Sequence, residues 1–248
     1  MSQFYMTLPS NSSMKYFPEN TLSTYKTRLP QTVNLKGEWE VGLSEIHYPR
    51  TWHNILDEEA HIYFEDGGDV KKYFRLQPGK YEANELVSAL NDLFQSIKPA
   101  PKFSLDKITQ KVTLEVEDET KLWLSKELSF ILGFQDHVFF RGPINIESIH
   151  VCDMNRGFYS LYCYCSLVQP VLVGDVRVPL LRIVPISGNY GEPITKTYHT
   201  PQYIPVNANN FDTIEINIKD DTGKPVAFER GKVVVTLHFR LRRSPYLI

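Results

Sequence analysis

The stretch TIEINIKDDTGKPVAFERGKVVVTLHFRL, residues 213–241, decides the fold class. In its first seven residues, every second side chain is an isoleucine, and polar residues occupy the positions between. A segment rich in Asp, Gly and Pro follows at residues 220–225, which is typical of a turn. A second alternating run covers residues 232–241. Alternation with a period of two is that of a strand with one buried face, so this stretch predicts two strands and a loop.

The composition extends this prediction to the whole chain. Only six alanines occur in 248 residues, against 51 Val, Ile and Thr residues and 31 aromatic residues. Alanine is the best helix former, whereas β-branched and aromatic side chains suit strands. We count nine or ten strand segments, and they do not alternate with helices. The sequence therefore predicts an all-β protein with an antiparallel sandwich or barrel rather than a parallel sheet.

Two helices interrupt the strands. Apolar residues recur at helical spacing over Asn84–Ile97, which predicts one long amphipathic helix. A short helix is predicted over Lys126–Leu132, with Ser125 as its cap and Gly133 at its end. In the strand Glu38–Tyr48, the apolar positions change phase near Ser44-Glu45, which predicts a β-bulge.

The domain organisation is predicted from the distribution of prolines and polar residues. The first thirty residues are polar and contain Pro9, Pro18 and Pro30, so we expect an extended arm over residues 1–30. Residues 31–248 show no linker and are predicted to form a single domain. The longest apolar stretch, Val168–Ile186, is interrupted by Gln, Pro, Asp and Arg, so no membrane span is expected.

The charge balance limits the possible partners. Lys and Arg number 27 against 29 Asp and Glu, a formal net charge of −2, which excludes a domain that grips nucleic acid by overall charge. Three arginines, Arg240, Arg242 and Arg243, cluster near the C-terminus. They could contact nucleic acid or an acidic partner, or could form a solvated strand end.

The first ten residues lack the features of a secretory signal, so the three cysteines are expected to be reduced thiols in an intracellular protein.

Metal-binding arrangements are weak in this sequence. Cys163 and Cys165 share one face of a strand and could form a three-thiol site with Cys152, but no CxxC pair occurs and core packing is favoured. His47, His53 and His61 lack the H-x-H pair of a metal-dependent β-helix enzyme. Asp220-Asp221 could hold calcium, but the turn interpretation is favoured because a calcium loop needs more spaced oxygen ligands.

No catalytic machinery is evident. The chain has no G-x-S-x-G nucleophile motif and no phosphate-binding loop. Phe158, Tyr162 and Tyr164 share a strand face and could stack on bases, but a core or a subunit interface is favoured because no basic residues accompany them. The residues therefore indicate no catalytic site and no cofactor, and they favour a structural or assembly protein over an enzyme.

Four blocks of the sequence resemble one known family. They are FDTIEINI, DDTGKP and FERGKVVVTLHF within residues 211–239; LYCYCSLV, VGD and PLLR within 161–182; WEVGLSEI at 39–46; and PGKY at 78–81. Together they resemble the penton, or minor capsid, protein of Polinton/Maverick elements and adintoviruses. The blocks occur in the same order and cover most of the chain from about residue 35 onward.

The resemblance implies a fold and a role. We expect a single jelly-roll sandwich with one long and one short inserted helix, assembling as a homopentamer at the fivefold vertices of an icosahedral virion. A double jelly-roll major capsid protein would be its partner. The family implies no catalytic residues, no cofactor and no small-molecule substrate. The alternatives are a carbohydrate- or receptor-binding jelly roll and, less favoured, a metal-dependent enzyme.

The resemblance also implies which segments of the chain take part in assembly. We expect the arm over residues 1–30 to become ordered only in the assembly. We also expect the turns around Gly174-Asp175 and around Asp220, Asp221 and Lys224 to lie at one end of the sandwich, near subunit contacts. The basic residues Arg240, Arg242 and Arg243 are the expected point of any contact with the genome.

Overall fold

The computed structural model describes residues 2–68 and 71–242 and shows a mostly β protein. The chain divides into two compact units, Met1–Trp52 with Phe158–Ile248, and His53–Gly157. This division differs from the single domain predicted over residues 31–248. Both predicted helices belong to the second unit, which is inserted in the chain between two strands of the first.

The strands and helices are numbered in chain order. The strands are β1 Gln3–Pro9, β2 Thr24–Asn34, β3 Trp39–Pro49, β4 His61–Glu65, β5 Lys72–Arg75, β6 Lys102–Leu105, β7 Val112–Val116, β8 Lys121–Leu124, β9 Phe139–Arg141, β10 Ile144–Glu147, β11 Ser160–Cys165, β12 Val171–Val173, β13 Val176–Val178, β14 Leu180–Pro185, β15 Pro193–Thr197, β16 Ile204–Pro205, β17 Asn210–Lys219 and β18 Val234–Leu241. The α-helices are α1 Ala83–Leu93 and α2 Lys126–Ile131, and a 3₁₀ turn covers Asp57–Glu59.

The first unit consists of two antiparallel sheets around one core. One sheet has the order β1-β18-β3-β15, with β16 also paired to β3, and the other has the order β14-β11-β17-β2. The alternating residues that define the fold class face this core, and the following are fully buried: Ile214, Ile216, Ile218, Val233, Val235, Leu237 and Phe239. The predicted strands on either side of the 220–225 turn are confirmed.

Two further segments of this unit can be compared with the alternation of apolar residues in the sequence. The predicted bulge is confirmed, because Thr236 pairs with Glu45 and Leu237 with Leu43, which leaves Ser44 as the extra residue. The apolar segment over residues 176–186 contains two strands, β13 and β14, which are separated at Pro179. Proline cannot donate a ladder hydrogen bond, and here it marks the point where the chain leaves one pairing for another.

Residues 1–30, expected to form an arm, contain β1 and the first part of β2. All seven residues of β1 pair with β18, and Leu8 is only 1% exposed. The Tyr25 hydroxyl, buried in the core, donates to the Leu8 carbonyl at 3.0 Å. The prolines mislead because β1 and β2 are both edge strands, where proline is tolerated. Pro30 lies in a stretch of β2 that bulges away from its partner, between the paired residues Arg28 and Val33.

The second unit has its own sheets and core. Its sheets have the orders β10-β7-β6 and β5-β4-β8-β9. The helix α1 ends earlier than the predicted Ile97, at Leu93, and begins with a capping box between Glu82 and Glu85. The helix α2 is confirmed, and the Ser125 side chain accepts a hydrogen bond from the Leu128 amide. Among the described residues, no helix is long and apolar enough to cross a membrane.

Candidate assembly surfaces and aromatic face

The hairpin β12–β13 carries two of the sequence-predicted contact residues at its tip. Gly174 and Asp175 form its two-residue turn, and Gly174 has φ +59°, the left-handed conformation that such turns require. In the described part of the chain, these two strands pair only with each other. Leu172 and Val176 point outward and are 72% and 50% exposed. Exposed aliphatic side chains on an unpaired ribbon are suited to contact with another protein surface.

A groove of about 470 Å³ adjoins the base of this hairpin. Aliphatic side chains of β12, β14 and β16 line most of it, and Arg182 is its one charged lining residue. The Arg182 guanidinium lies 3.6 Å from the centre of the Tyr198 ring, and its Nη1 is buried without a hydrogen-bond partner among the described residues. Because β14 is the edge of its sheet, the hairpin and the groove form a continuous apolar border of the first unit.

The turn at residues 220–224 is held together by its own first residue. Asp220 Oδ1 accepts hydrogen bonds from the Thr222 amide and the Lys224 amide, both at 2.9 Å. The Asp220 amide in turn donates to the Lys224 carbonyl, also at 2.9 Å. The turn interpretation is therefore confirmed, and the Asp220 side chain stabilises the turn through these hydrogen bonds. Asp221 and Lys224 are exposed and remain predicted contact residues.

The two predicted contact turns do not lie at one end of the sandwich. Lys219, the last residue of β17, pairs with Tyr162 near the start of β11. The β12–β13 hairpin instead follows Cys165, at the end of β11. The turns around Gly174-Asp175 and Asp220–Lys224 therefore lie at opposite ends of this sheet, and the expected common end is wrong. The sequence supplies neither the pairing partner nor the direction of a strand, so it could not place them.

The basic end of the chain is paired with glutamates. Arg240 bonds to Glu40 and stacks 3.5 Å from the centre of the Tyr203 ring. Arg242 lies 3.6 Å from a carboxylate oxygen of Glu38. Arg243 lies outside the described residues. Pairing reduces the positive charge that Arg240 and Arg242 can offer to phosphates, and contact with nucleic acid stays a prediction.

The three cysteines are not grouped with other metal ligands. Among the described residues, no cluster of three or more His, Cys, Asp or Glu side chains could hold a metal ion. Cys163 and Cys165 are 0% exposed and pack in the core of the first unit, whereas Cys152 belongs to the second. Of the predicted histidines, His47 bonds the Thr195 hydroxyl at 2.8 Å, and His61 bonds the Tyr73 hydroxyl at 2.5 Å.

Burial makes the thiols poor nucleophiles. It raises the pKa of Cys165 to about 12 and that of Cys163 further still. Burial, together with the neighbouring Asp153, raises the pKa of Cys152 to about 11. The thiolate is the reactive form, so all three should react slowly at pH 8.

We therefore expect iodoacetamide at pH 8 to leave Cys163 and Cys165 unmodified in the native protein. In urea, where the chain is unfolded, all three cysteines should be modified at the rate of ordinary thiols. Mass spectrometry of peptides from the two samples measures this. Rapid modification of Cys165 in the native protein would show that the core between the two sheets opens.

An exposed aromatic row was not found from the sequence. Tyr73, Tyr63, Trp123 and Phe139 lie side by side on β5, β4, β8 and β9 of the second unit, each paired directly with the next. The strands KYFR, HIYFE and KLWL each alternate, which predicts an outward aromatic in each. Only the register, however, shows that they align. The residues that sequence analysis did single out, Phe158, Tyr162 and Tyr164, are half-buried or packed, and Phe158 lies against Trp52 with ring centres 5.4 Å apart.

Comparisons with known proteins rest on the fold. No protein-family model matches the chain, and no curated protein matches it. The two sheets around one core, interrupted by an inserted unit, define a β-sandwich protein. The chain is similar to the crystal structure of the selenomethionine-labelled mavirus penton protein, with a TM-score of 0.53 and 10% sequence identity. The similarity covers 96% of this chain and 99% of that one, so the chain has a penton-like fold.

Proposed function

We propose that this chain is a penton: a structural protein that occupies the fivefold vertices of an icosahedral viral capsid. The observation that carries the proposal is the extent of the fold similarity. It covers 96% of this chain and 99% of the mavirus penton protein, so it includes both compact units rather than a common sandwich alone. On this proposal the chain is located in the virion and has no catalytic residues or cofactor.

The sandwich of the first unit is proposed to be a single jelly roll. Its eight main strands, in chain order, are β1, β2, β3, β11, β14, β15, β17 and β18. They pair first with last, second with seventh, third with sixth and fourth with fifth. This nested pairing is that of one long hairpin rolled into two four-stranded sheets, which supports a jelly roll. The second unit is then an insertion between the third and fourth strands.

Assembly would join different surfaces of neighbouring copies. A fivefold ring needs one surface patch to meet a second, different patch on the next subunit until the ring closes. We propose that the β12–β13 hairpin, with Gly174 and Asp175 at its tip, is one such patch, since Leu172 and Val176 are exposed and its strands have no other pairing with described residues. Asp221 and Lys224, at the other end of the sheet, are proposed as a separate contact.

The partners follow from the same proposal. We propose that pentamers of this chain are surrounded by a double jelly-roll major capsid protein and that the chain is related to the pentons of Polinton/Maverick elements and adintoviruses. The first unit has 15 Lys and Arg against 11 Asp and Glu, and the second has 12 against 18. The first unit is therefore suited to acidic partners, whereas the second, with a net negative charge, is not.

Native mass spectrometry of the purified chain tests the proposal. We expect an assembly of five times 28.7 kDa, the mass of one chain. It should persist when salt is raised, because an apolar contact is screened little by ions. A stable monomer or dimer at high protein concentration and high salt would contradict the penton role.

A further inference from the structure

The aromatic row of the second unit crosses an entire sheet in register. Tyr63 pairs directly with Tyr73 on one side and with Trp123 on the other, and Trp123 pairs with Phe139. Residues directly opposite each other in antiparallel strands point to the same face. Three strand spacings of roughly 4.8 Å give the row a length of about 14 Å.

The row is exposed, although the opposite face of the same sheet forms the core. Tyr73 is 51% exposed, Phe139 41% and Tyr63 39%. Ring centres are 5.3 Å apart between Tyr63 and Tyr73 and 5.0 Å apart between Trp123 and Phe139. The neighbouring residues Ile62, Phe64, Leu122 and Phe140, which point the other way, are buried. Three of the four aromatics are exposed, and Trp123 between them is half-buried. The fold does not need these side chains for burial, because the core is already formed by the alternate residues.

A basic row lies beside the aromatic row. Glu65 and Lys121 pair with each other, and Lys121 is opposite Arg141 in the next strand. The Lys71 ammonium lies 4.5 Å from the centre of the Tyr63 ring and 4.1 Å from that of Trp123. Among the described residues, neither Lys71 nor Arg141 has a carboxylate partner. Within residues 2–68 and 71–242, the surface beside the rings therefore carries two positive charges without a carboxylate partner.

From this arrangement we propose that the face formed by Tyr73, Tyr63, Trp123, Phe139, Lys71 and Arg141 binds an acidic oligosaccharide, a chain of pyranose rings bearing carboxylates. The C–H face of a pyranose ring packs flat on an aromatic ring. A row about 14 Å long accommodates about three linked sugars. Lys71 and Arg141 would pair with the carboxylates, and Arg141 can do so through two parallel hydrogen bonds.

The width and the charge of the surroundings favour a sugar over other partners. The row is one residue wide and contains no aliphatic side chain, whereas a protein interface needs about 800 Å² per partner with a broad apolar centre. The whole unit has 12 Lys and Arg against 18 Asp and Glu. A unit with this net negative charge repels nucleic acid, which carries a charge on every nucleotide. A sugar chain carries only one or a few carboxylates, and these can pair with Lys71 and Arg141.

Titration of the full-length chain tests this proposal, with tryptophan fluorescence as the readout. Trp123 lies in the proposed site, whereas Trp39 and Trp52 belong to the first unit. The probes are 3′-sialyllactose and trigalacturonate, two sources of carboxylated pyranose, together with lactose, the part of the first probe that lacks the carboxylated ring. We expect saturable binding of at least one acidic probe and about tenfold weaker binding of lactose. If only one acidic probe binds, it identifies the source. If neither binds at about 10 mM, the proposal is overturned.

Variants distinguish binding at the proposed site from a general surface effect. Their binding is measured by calorimetry, because replacing Trp123 removes the fluorescence of the site. Trp123→Ala and Tyr73→Ala should each weaken binding of the acidic probe about tenfold or more. Tyr73 lies on the edge strand β5, so we expect the protein to fold with alanine at this position. Arg141→Gln should weaken the acidic probe and leave lactose unchanged. Phe130→Ala removes an aromatic that is 52% exposed elsewhere in the unit and is the control.

Two results would reject the sugar site. The first is an equal loss in Phe130→Ala and Trp123→Ala. The second is that oligo(dT) binds more tightly than either sugar and that Trp123→Ala abolishes this binding. That result would assign the row to single-stranded nucleic acid. The measurement does not require a pentamer, so its failure and a failure of the penton proposal are distinguishable.

Discussion

Replacing Leu8 with alanine should destabilise the first unit by about 2–5 kcal/mol, the usual cost of truncating a buried leucine. Leu8 is 1% exposed and belongs to the core shared by the two sheets. Its carbonyl also accepts the hydrogen bond from the buried Tyr25 hydroxyl, so a shift of β1 would leave that hydroxyl without a partner. The effect is large because residues 1–30 are part of the fold.

Urea unfolding of the two variants Leu8→Ala and Thr7→Ala measures this effect. Thr7 is the preceding residue of the same strand and is exposed, so Thr7→Ala should cost less than about 1 kcal/mol. Tryptophan fluorescence follows the transition, and of the three tryptophans Trp39 lies beside β1, with its ring centre 5.4 Å from that of Phe4. Equal midpoints for the two variants would mean that β1 is a detachable arm, as the prolines of this segment suggest.

The strands could be predicted where the hydrophobic period is unambiguous. Thr213–Lys219 and the run after Lys232 alternate over seven or more residues, and both are strands with that face buried. The bulge at Ser44 was visible because an inserted residue reverses the phase of the apolar positions. In each case the period alone contains the information.

The features that were missed depend on pairing between distant segments. The edge position of β1 makes its proline acceptable, but nothing in residues 3–9 shows that β18 is the partner. The division into two cores was missed because strands of both units share one composition and one period. The opposite placement of the Gly174 and Asp220 turns likewise follows only from the register of β11 with β17.

The candidate surfaces show the same limit. The exposed turn residues were predictable, because Asp, Gly and Pro mark turns. The pairing of Arg240 with Glu40 and of Arg242 with Glu38 was not, because each pair joins adjacent strands from opposite ends of the chain. A cluster of arginines in sequence is therefore a weaker indication of nucleic acid binding than it first suggests, since its charge can be used within the fold.

Replacing Leu172 with aspartate should convert the proposed pentamer to monomers. Leu172 is 72% exposed in the single chain, so the carboxylate remains in water there and folding of the monomer should be unaffected. In the proposed ring the same position is covered by the neighbouring subunit. Burying an unpaired carboxylate costs several kcal/mol, which should weaken each contact by about a hundredfold or more.

The size of this effect follows from ring closure. Each of the five contacts in a ring carries the same substitution, so the penalty is repeated at every interface and the closed assembly is lost rather than loosened. Native mass spectrometry should show the single-chain mass for Leu172→Asp, whereas the control Ile108→Asp, at a side chain 93% exposed in the second unit, should retain the fivefold mass. If Leu172→Asp also retains that mass, the β12–β13 hairpin lies outside the contact. The edge at β14 or the turn at Asp221 would then have to join the subunits.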